Sequence, residues 1–89
     1  MSRPLNYRHL HHFWVVAREG SIARAAEALD LAPQTLSSQV STFEADLGTR
    51  LFERRGRRLV MTDAGRTVFQ YADPMFRTAE ELEAWLDAA

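Results

Sequence analysis

Residues 21–48, SIARAAEALDLAPQTLSSQVSTFEADLG, decide the fold of this chain. The first part of the segment has apolar residues at the i, i+3, i+4 and i+7 spacing of one helix face; they are Ile22, Ala25, Ala26 and Leu29. Ser21 suits the N-cap of that helix. After a turn of about three residues, Pro33 suits the first position of a second helix, because a proline there gives up no hydrogen bond. The second helix has an apolar face of its own, Leu36, Val40, Phe43 and Leu47, and it ends at Gly48. The segment predicts two short helices joined by a tight turn.

The second of these helices has an outer face that is short, polar and uncharged. At 100° per residue, Gln34, Ser38 and Ser41 lie opposite the apolar face. Short side chains let a helix backbone approach the base edges in the major groove of DNA, which is about 12 Å wide. Gln34 suits two hydrogen bonds to adenine, and Thr35 suits a thymine methyl group, although serines on a helix are also ordinary surface residues. The predicted DNA contacts are Pro33, Gln34, Thr35, Ser37, Ser38, Ser41 and, at the flank of the face, Gln39.

A basic hairpin follows the second helix. Apolar residues 51–52 and 59–61 flank a run of arginines around a single glycine, which is the pattern of two strands and a turn. Guanidinium groups suit forked contacts with phosphate, and we expect Arg57 either in a narrow minor groove or in a plain phosphate contact. The alternative is a solvated turn that binds nothing. Ser21, first a helix cap, is also a candidate phosphate contact at its helix N-terminus. The predicted contacts of the hairpin are Arg54, Arg55, Arg57 and Arg58.

Two further helices flank this region. The first has its apolar face at Leu10, Phe13, Trp14 and Ala17 and ends at Gly20. Thr62 suits the cap of the last helix, whose apolar residues fall four and three apart, as in a coiled-coil seam. Residues 66–88 would span about 35 Å, which favours pairing with a second copy over packing as a fourth core helix. At Pro74 we expect a kink, or a restart with Asp73 as the cap. The predicted dimer seam is Val68, Ala72, Met75, Ala79, Leu82 and Leu86.

Composition and charge favour a small binding domain. The chain has 89 residues, 46% of them hydrophobic, and no cysteine, which excludes disulfides and thiolate chemistry. The net charge of −1 conceals an uneven distribution. Residues 1–70 have ten arginines and seven acidic residues, net +3, and residues 71–89 have one arginine and five acidic residues, net −4. The first part of the chain is therefore the basic part that DNA binding needs.

Neither an enzyme nor a membrane protein is indicated. There is no glycine-rich phosphate loop and no histidine paired with a carboxylate across a cleft. His9, His11 and His12 lack a further ligand for a metal, so we expect no metal and no cofactor. No apolar run approaches the roughly 20 residues of a membrane span, and the start has no signal-peptide core. The chain is therefore expected in the cytoplasm.

Residues 13–65 resemble the N-terminal DNA-binding domain of LysR-type transcriptional regulators. The most specific segments are EGSIARAAEAL, LSSQV, FEADLGTRLFERRGR and MTDAG. The segments NYRHLHHFW, APQT and YADPMF are similar to the branch that contains the activator of sodium/proton antiporter genes. Two features depart from the common pattern of the family. Ser38 stands where many members have arginine or lysine, and the segment APQTLS replaces the common SQPALS. Both departures concern which bases are read.

The resemblance implies a mainly α winged helix-turn-helix. Its three-helix core and two-stranded wing would occupy residues 1–62, and a long linker helix in residues 63–89 would pair antiparallel in a homodimer. It also implies an effector-binding domain that is absent from this chain. The function expected is sequence-specific binding of double-stranded DNA by a bacterial regulator, at sites with dyad symmetry. The alternative is a winged helix that docks on a partner protein, which an apolar recognition face would favour.

Overall fold

The computed structural model describes residues 5–89. Its elements follow in the order α1 (Tyr7–Glu19), α2 (Ile22–Leu29), α3 (Pro33–Leu47), β1 (Phe52–Arg55), β2 (Arg58–Met61) and α4 (Asp63–Ala88). Three helices and a two-stranded wing precede the long helix, as the winged helix-turn-helix requires. The predicted fold class is confirmed.

The helices begin and end at the residues that carry local signals. Ser21 Oγ accepts a hydrogen bond from the Arg24 backbone N–H at 3.0 Å, which caps α2. Pro33 is the first residue of α3, where its missing N–H has no partner to lose. Gly48 follows α3 with a φ of 74°, a left-handed conformation that glycine adopts without strain.

The centre of the hydrophobic core is α1. Its residues Phe13, Trp14 and Val16 are almost completely buried. The short side chains that α2 turns inward allow close packing on α1, and α3 adds Phe43 from the other side. The ring of Phe13 lies 5.2 Å from that of Phe52 between centroids, so the first strand of the wing closes the core.

The wing is tied to the start of α4. Its strands pair antiparallel, with Phe52 opposite Met61. The Thr62 backbone N–H donates to the Leu51 carbonyl oxygen at 3.0 Å. Gly65, in the first turn of α4, packs directly on the same carbonyl, where an added Cβ would overlap the oxygen. Only a glycine therefore lets α4 begin this close to the wing.

The last helix is continuous, so of the two alternatives expected at Pro74 the restart is wrong, and the kink stays a prediction. Asp73 does not cap a helix. Its Oδ1 accepts a hydrogen bond from Trp14 Nε1 at 2.9 Å, and its Oδ2 accepts one from Arg77 Nε at 2.9 Å. Packing of this segment against α1 offsets the one backbone hydrogen bond that Pro74 cannot donate.

The first half of α4 is a fourth core helix, which corrects the predicted dimer seam. Ala72 is 0% exposed and belongs to the core of its own chain, so the dimer role predicted for it is wrong. The physical reason is that α1 lies along this half of α4, with the rings of Trp14 and Phe76 5.2 Å apart between centroids. Val68 is half-buried against the same core. Although α4 is long, neither it nor another helix within residues 5–89 is apolar enough to cross a membrane.

Candidate nucleic-acid interface

The polar face of α3 is open to solvent. Its opposite face buries Leu36, Val40 and Phe43, as the helix period requires. Six of the seven α3 residues predicted to contact DNA are exposed: Pro33, Gln34, Thr35, Ser37, Ser38 and Ser41. The described residues, 5–89, leave this face uncovered, and its short side chains permit a close approach to a groove.

Arg54 of the wing lies beside this face. It lines one open cleft together with Ile22 of α2 and with Ser37 and Ser41 of α3. Ser21, which precedes Ile22, is half-buried with its hydroxyl occupied as the cap of α2. The cleft therefore joins the start of α2, the outer face of α3 and one side of the wing into a single surface.

The other side of the wing is a second charged surface, of which sequence analysis had identified only Arg55. Three exposed arginines line one open cleft there, each beside a carboxylate. Arg55 lies 3.3 Å from Glu53, and Arg66 is paired with Asp63. Arg50, which lies in the short connection between α3 and β1, completes the cluster. The remaining wing arginines, Arg57 and Arg58, are exposed at the turn and in β2.

A buried carboxylate on α3 fixes the wing to the helix. Glu44 is 8% exposed. Its Oε2 accepts hydrogen bonds from the backbone N–H groups of Leu51 at 2.7 Å and Phe52 at 3.2 Å. Its Oε1 lies 3.5 Å from Arg50 Nε. Sequence analysis did not single out Glu44, because an acid one position after a buried phenylalanine looks like part of a solvated flank; only the fold shows that the wing backbone meets it.

Gln39 turns toward α1 instead of the open face. It is half-buried, and its Oε1 and the Nδ1 of His12 are both buried without a hydrogen bond. Burial lowers the pKa of His12 below its ordinary value of 6.5, and the neighbouring Gln39 side chain acts in the opposite direction. Gln39 thus has a position between α1 and α3, and its contact with DNA stays a prediction.

The three histidines of α1 point to different neighbours. The His11 ring lies 4.9 Å from that of Phe76 on α4, and the His9 ring lies 6.2 Å from that of Phe43 on α3, between centroids. Within residues 5–89, no three side chains of the metal-binding types converge on one point. His9 and His11 therefore pack against aromatic rings on opposite sides of α1.

A continuous apolar stripe is exposed on α4. At 100° per residue, Tyr71, Met75 and Leu82 point in directions within about 40° of one another, away from the core-facing Phe76. The full exposed stripe is Tyr71, Met75, Leu82, Trp85 and Leu86. Met75, Leu82 and Leu86 belong to the predicted dimer seam. Ala79, also in that seam, is half-buried at the edge of the exposed stripe. An exposed apolar stripe of this length is typical of an interaction surface.

Comparison with known proteins agrees with this architecture. The family described as "Bacterial regulatory helix-turn-helix protein, lysR family" matches residues 7–66. The chain is 46% identical over 78 residues to the transcriptional activator protein NhaR of Escherichia coli, covering 88% of this chain and 26% of NhaR. It is 40% identical over 84 residues to the RuBisCO operon transcriptional regulator of Allochromatium vinosum, covering 94% of this chain and 28% of that protein. The chain thus spans about a quarter of the length of these relatives.

A solved structure gives the same result for the fold. The BenM DNA-binding domain in complex with catB site 1 DNA superimposes with a TM-score of 0.79 at 31% identity, covering 93% of this chain and 92% of that one. The sequence relatives are transcriptional regulators and not enzymes. On the match over residues 7–66, the chain belongs to the LysR family of bacterial regulatory helix-turn-helix proteins.

Proposed function

We propose that this chain binds double-stranded DNA sequence-specifically as part of a bacterial transcriptional regulator. One observation carries the proposal: the uncovered, short and uncharged face of α3 lies next to a wing with four exposed arginines. A major groove admits such a helix, and arginines supply the phosphate contacts that position it. The likeness to a domain whose structure contains DNA supports the same role.

Each part of the surface has a proposed role in the complex. Gln34 and Thr35, at the start of α3, read base edges. Arg57, at the tip of the wing, enters the minor groove or contacts the backbone. Arg54, beside α3, neutralises the phosphates that border the major groove. The serines of α3, with the half-buried Ser21 at the start of α2, donate to phosphate or base; they are Ser37, Ser38 and Ser41.

A homodimer through α4 is part of the proposal. The exposed stripe that includes Met75, Leu82 and Trp85 would pack against the same stripe of a second copy. Residues 1–62 then act as the DNA-binding unit and residues 63–89 as the linker helix. Because the chain spans only about a quarter of the length of these relatives, we also propose that an effector ligand binds a domain outside this chain. The site of action is the bacterial cytoplasm.

The test is the salt dependence of DNA binding by Arg57→Ala. The slope of log K against log salt should become shallower by about 0.9 for each phosphate that the variant no longer neutralises. Arg77→Ala, in α4 outside the surface proposed to contact DNA, is the matched control and should leave the slope unchanged. Fluorescence anisotropy of a labelled duplex measures both. An unchanged slope for Arg57→Ala would contradict a phosphate contact at the wing.

A second measurement addresses the role of α3. Gln34→Ala should relax discrimination at one base position in each half-site, by about 1–3 kcal/mol. Selection from a random DNA pool gives the preference at every position for the unchanged chain and for the variant. Equal weakening on all sequences would show that Gln34 only positions the protein. Failure of the unchanged chain to enrich any sequence would contradict the proposed function itself.

A further inference from the structure

A buried indole on α1 is hydrogen-bonded to α4, outside the surface proposed to contact DNA. Trp14 is 1% exposed, and its Nε1 donates to Asp73 Oδ1 at 2.9 Å. The second carboxylate oxygen of Asp73 accepts from Arg77 Nε at 2.9 Å, one turn further along α4. The hydrogen bond from Trp14, and next the bond and charge of Arg77, hold the pKa of Asp73 below its ordinary value. The acceptor is therefore ionised at neutral pH, which strengthens the bond.

Further contacts between α1 and α4 surround this bond. The Arg18 guanidinium lies 4.5 Å above the Trp14 ring and reaches Glu80 Oε2 at 3.5 Å. The Phe76 ring packs 5.2 Å from the Trp14 ring between centroids. The contacts span two turns of α4, from Asp73 to Glu80, and residues 80–89 are all exposed. The direction in which α4 leaves the domain is thus set over these two turns.

Pro74 makes this the place where α4 bends most easily. It follows Asp73 inside the helix and has no N–H to donate to the carbonyl of Gln70, one turn earlier. Sharp helix bends concentrate at such positions. Because that backbone hydrogen bond is absent, the direction of α4 depends more strongly on its side-chain contacts with α1.

A small change of this direction has a large effect at the end of the helix. The 15 helical steps from Asp73 to Ala88 span about 22 Å. A tilt of about 10° at Asp73 moves the end of a helix segment of this length by about 4 Å, which exceeds the base-pair rise of about 3.4 Å. In a two-fold dimer both copies tilt together. The distance between the two recognition helices therefore depends on the angle between α1 and α4.

We propose that the hydrogen bond between Trp14 and Asp73 is a positioning contact that sets which half-site spacing the dimer accepts. The inference rests on the proposed dimer. Neither residue touches DNA, so loss of the bond should leave the sequence of each half-site unchanged and broaden the spacing between half-sites. A role in folding alone would instead lower the affinity for a single half-site.

Selection from a random DNA pool tests this inference with three variants of the chain. Asp73→Ala removes the acceptor, and Trp14→Phe removes the donor while keeping an aromatic ring in the core. Arg77→Ala is the matched control, because it removes the other partner of Asp73 and leaves the bond to Trp14. For the unchanged chain and the control, one spacing should be enriched over spacings one base pair shorter or longer. In both Asp73→Ala and Trp14→Phe this enrichment should fall at least about fivefold, as for the loss of one hydrogen bond to a charged group.

Affinity for a duplex with one half-site separates the outcomes. Asp73→Ala should keep that affinity within about twofold, because the substitution is distant from α3 and the wing. If Asp73→Ala and Trp14→Phe both keep the preference for one half-site spacing, the inference is overturned and the proposed dimer is unaffected. A selected pool without any paired half-sites for the unchanged chain would overturn the dimer and the inference together. A loss of single half-site affinity without broader spacing would assign Asp73 to folding alone and would also overturn it.

Discussion

Replacing Glu44 by alanine is expected to detach the wing from α3. The carboxylate is almost completely buried, and one of its oxygens accepts the N–H groups of both Leu51 and Phe52. Alanine leaves these two donors in the interior without an acceptor.

The magnitude follows from the number of donors left unpaired. A buried donor without a partner costs about 1–3 kcal/mol. The two donors together cost about 2–6 kcal/mol. The better helix propensity of alanine recovers at most about 0.7 kcal/mol, so Glu44→Ala should lower the free energy of unfolding by about 1–5 kcal/mol. In a domain of 60–100 residues, 1 kcal/mol corresponds to about 4–8 °C, so the melting temperature should fall by about 5–40 °C.

Thermal and urea unfolding followed by circular dichroism measure this loss against two controls. Glu44→Gln keeps an uncharged oxygen for the two N–H groups and should cost about 1 kcal/mol. Asp46→Ala, exposed on the same helix, should stay within about 0.5 kcal/mol of the unchanged chain. If Glu44→Ala lowers the free energy of unfolding no more than Asp46→Ala does, this carboxylate does not hold the wing and the reasoning fails.

Three further predictions follow from the same structure. Gly65→Ala should destabilise the chain by about 3 kcal/mol in urea unfolding, because the new Cβ overlaps the Leu51 carbonyl oxygen; a neutral result would mean that α4 can shift away from the wing. Because burial lowers the pKa of His12, its contribution to stability is complete above pH 6.5 and is lost as the pH falls toward the lowered value. Urea midpoints between pH 7.5 and pH 5 should therefore decrease, and His12→Phe should flatten that decrease. Leu82→Glu, in the exposed stripe of α4, should shift sedimentation toward the monomer with stability changed by no more than about 0.5 kcal/mol, whereas a dimer that persists would place the interface elsewhere.

Local signals predicted most of the first part of the fold. Ser21 caps α2 and Pro33 begins α3, as expected, and the helices end near Gly20 and Gly48. The run of arginines around one glycine is a hairpin. These features depend on residues a few positions apart, so a cap, a period or a turn residue is sufficient to indicate them.

The last helix shows where such reasoning fails. Its apolar residues fall on two neighbouring stripes, one toward α1 and one toward solvent. Spacings of four and three residues run through both stripes, so the sequence analysis treated the two stripes as one seam. Ala72 was consequently assigned to a dimer although it lies in the core. Of the kink and the restart expected at Pro74, the restart was wrong because contacts with α1, distant in sequence, stabilise the continuous helix.

The amino-acid order by itself therefore determined the helix boundaries, the wing and the identity of the polar face on α3, since periodicity and capping act within one or two turns. Only the tertiary structure decided that Glu44 receives the wing backbone and that Trp14 meets Asp73 on α4. Both contacts join residues on different elements, seven or more positions apart. The partner of a buried polar group is set by how the elements pack, and no local pattern encodes it.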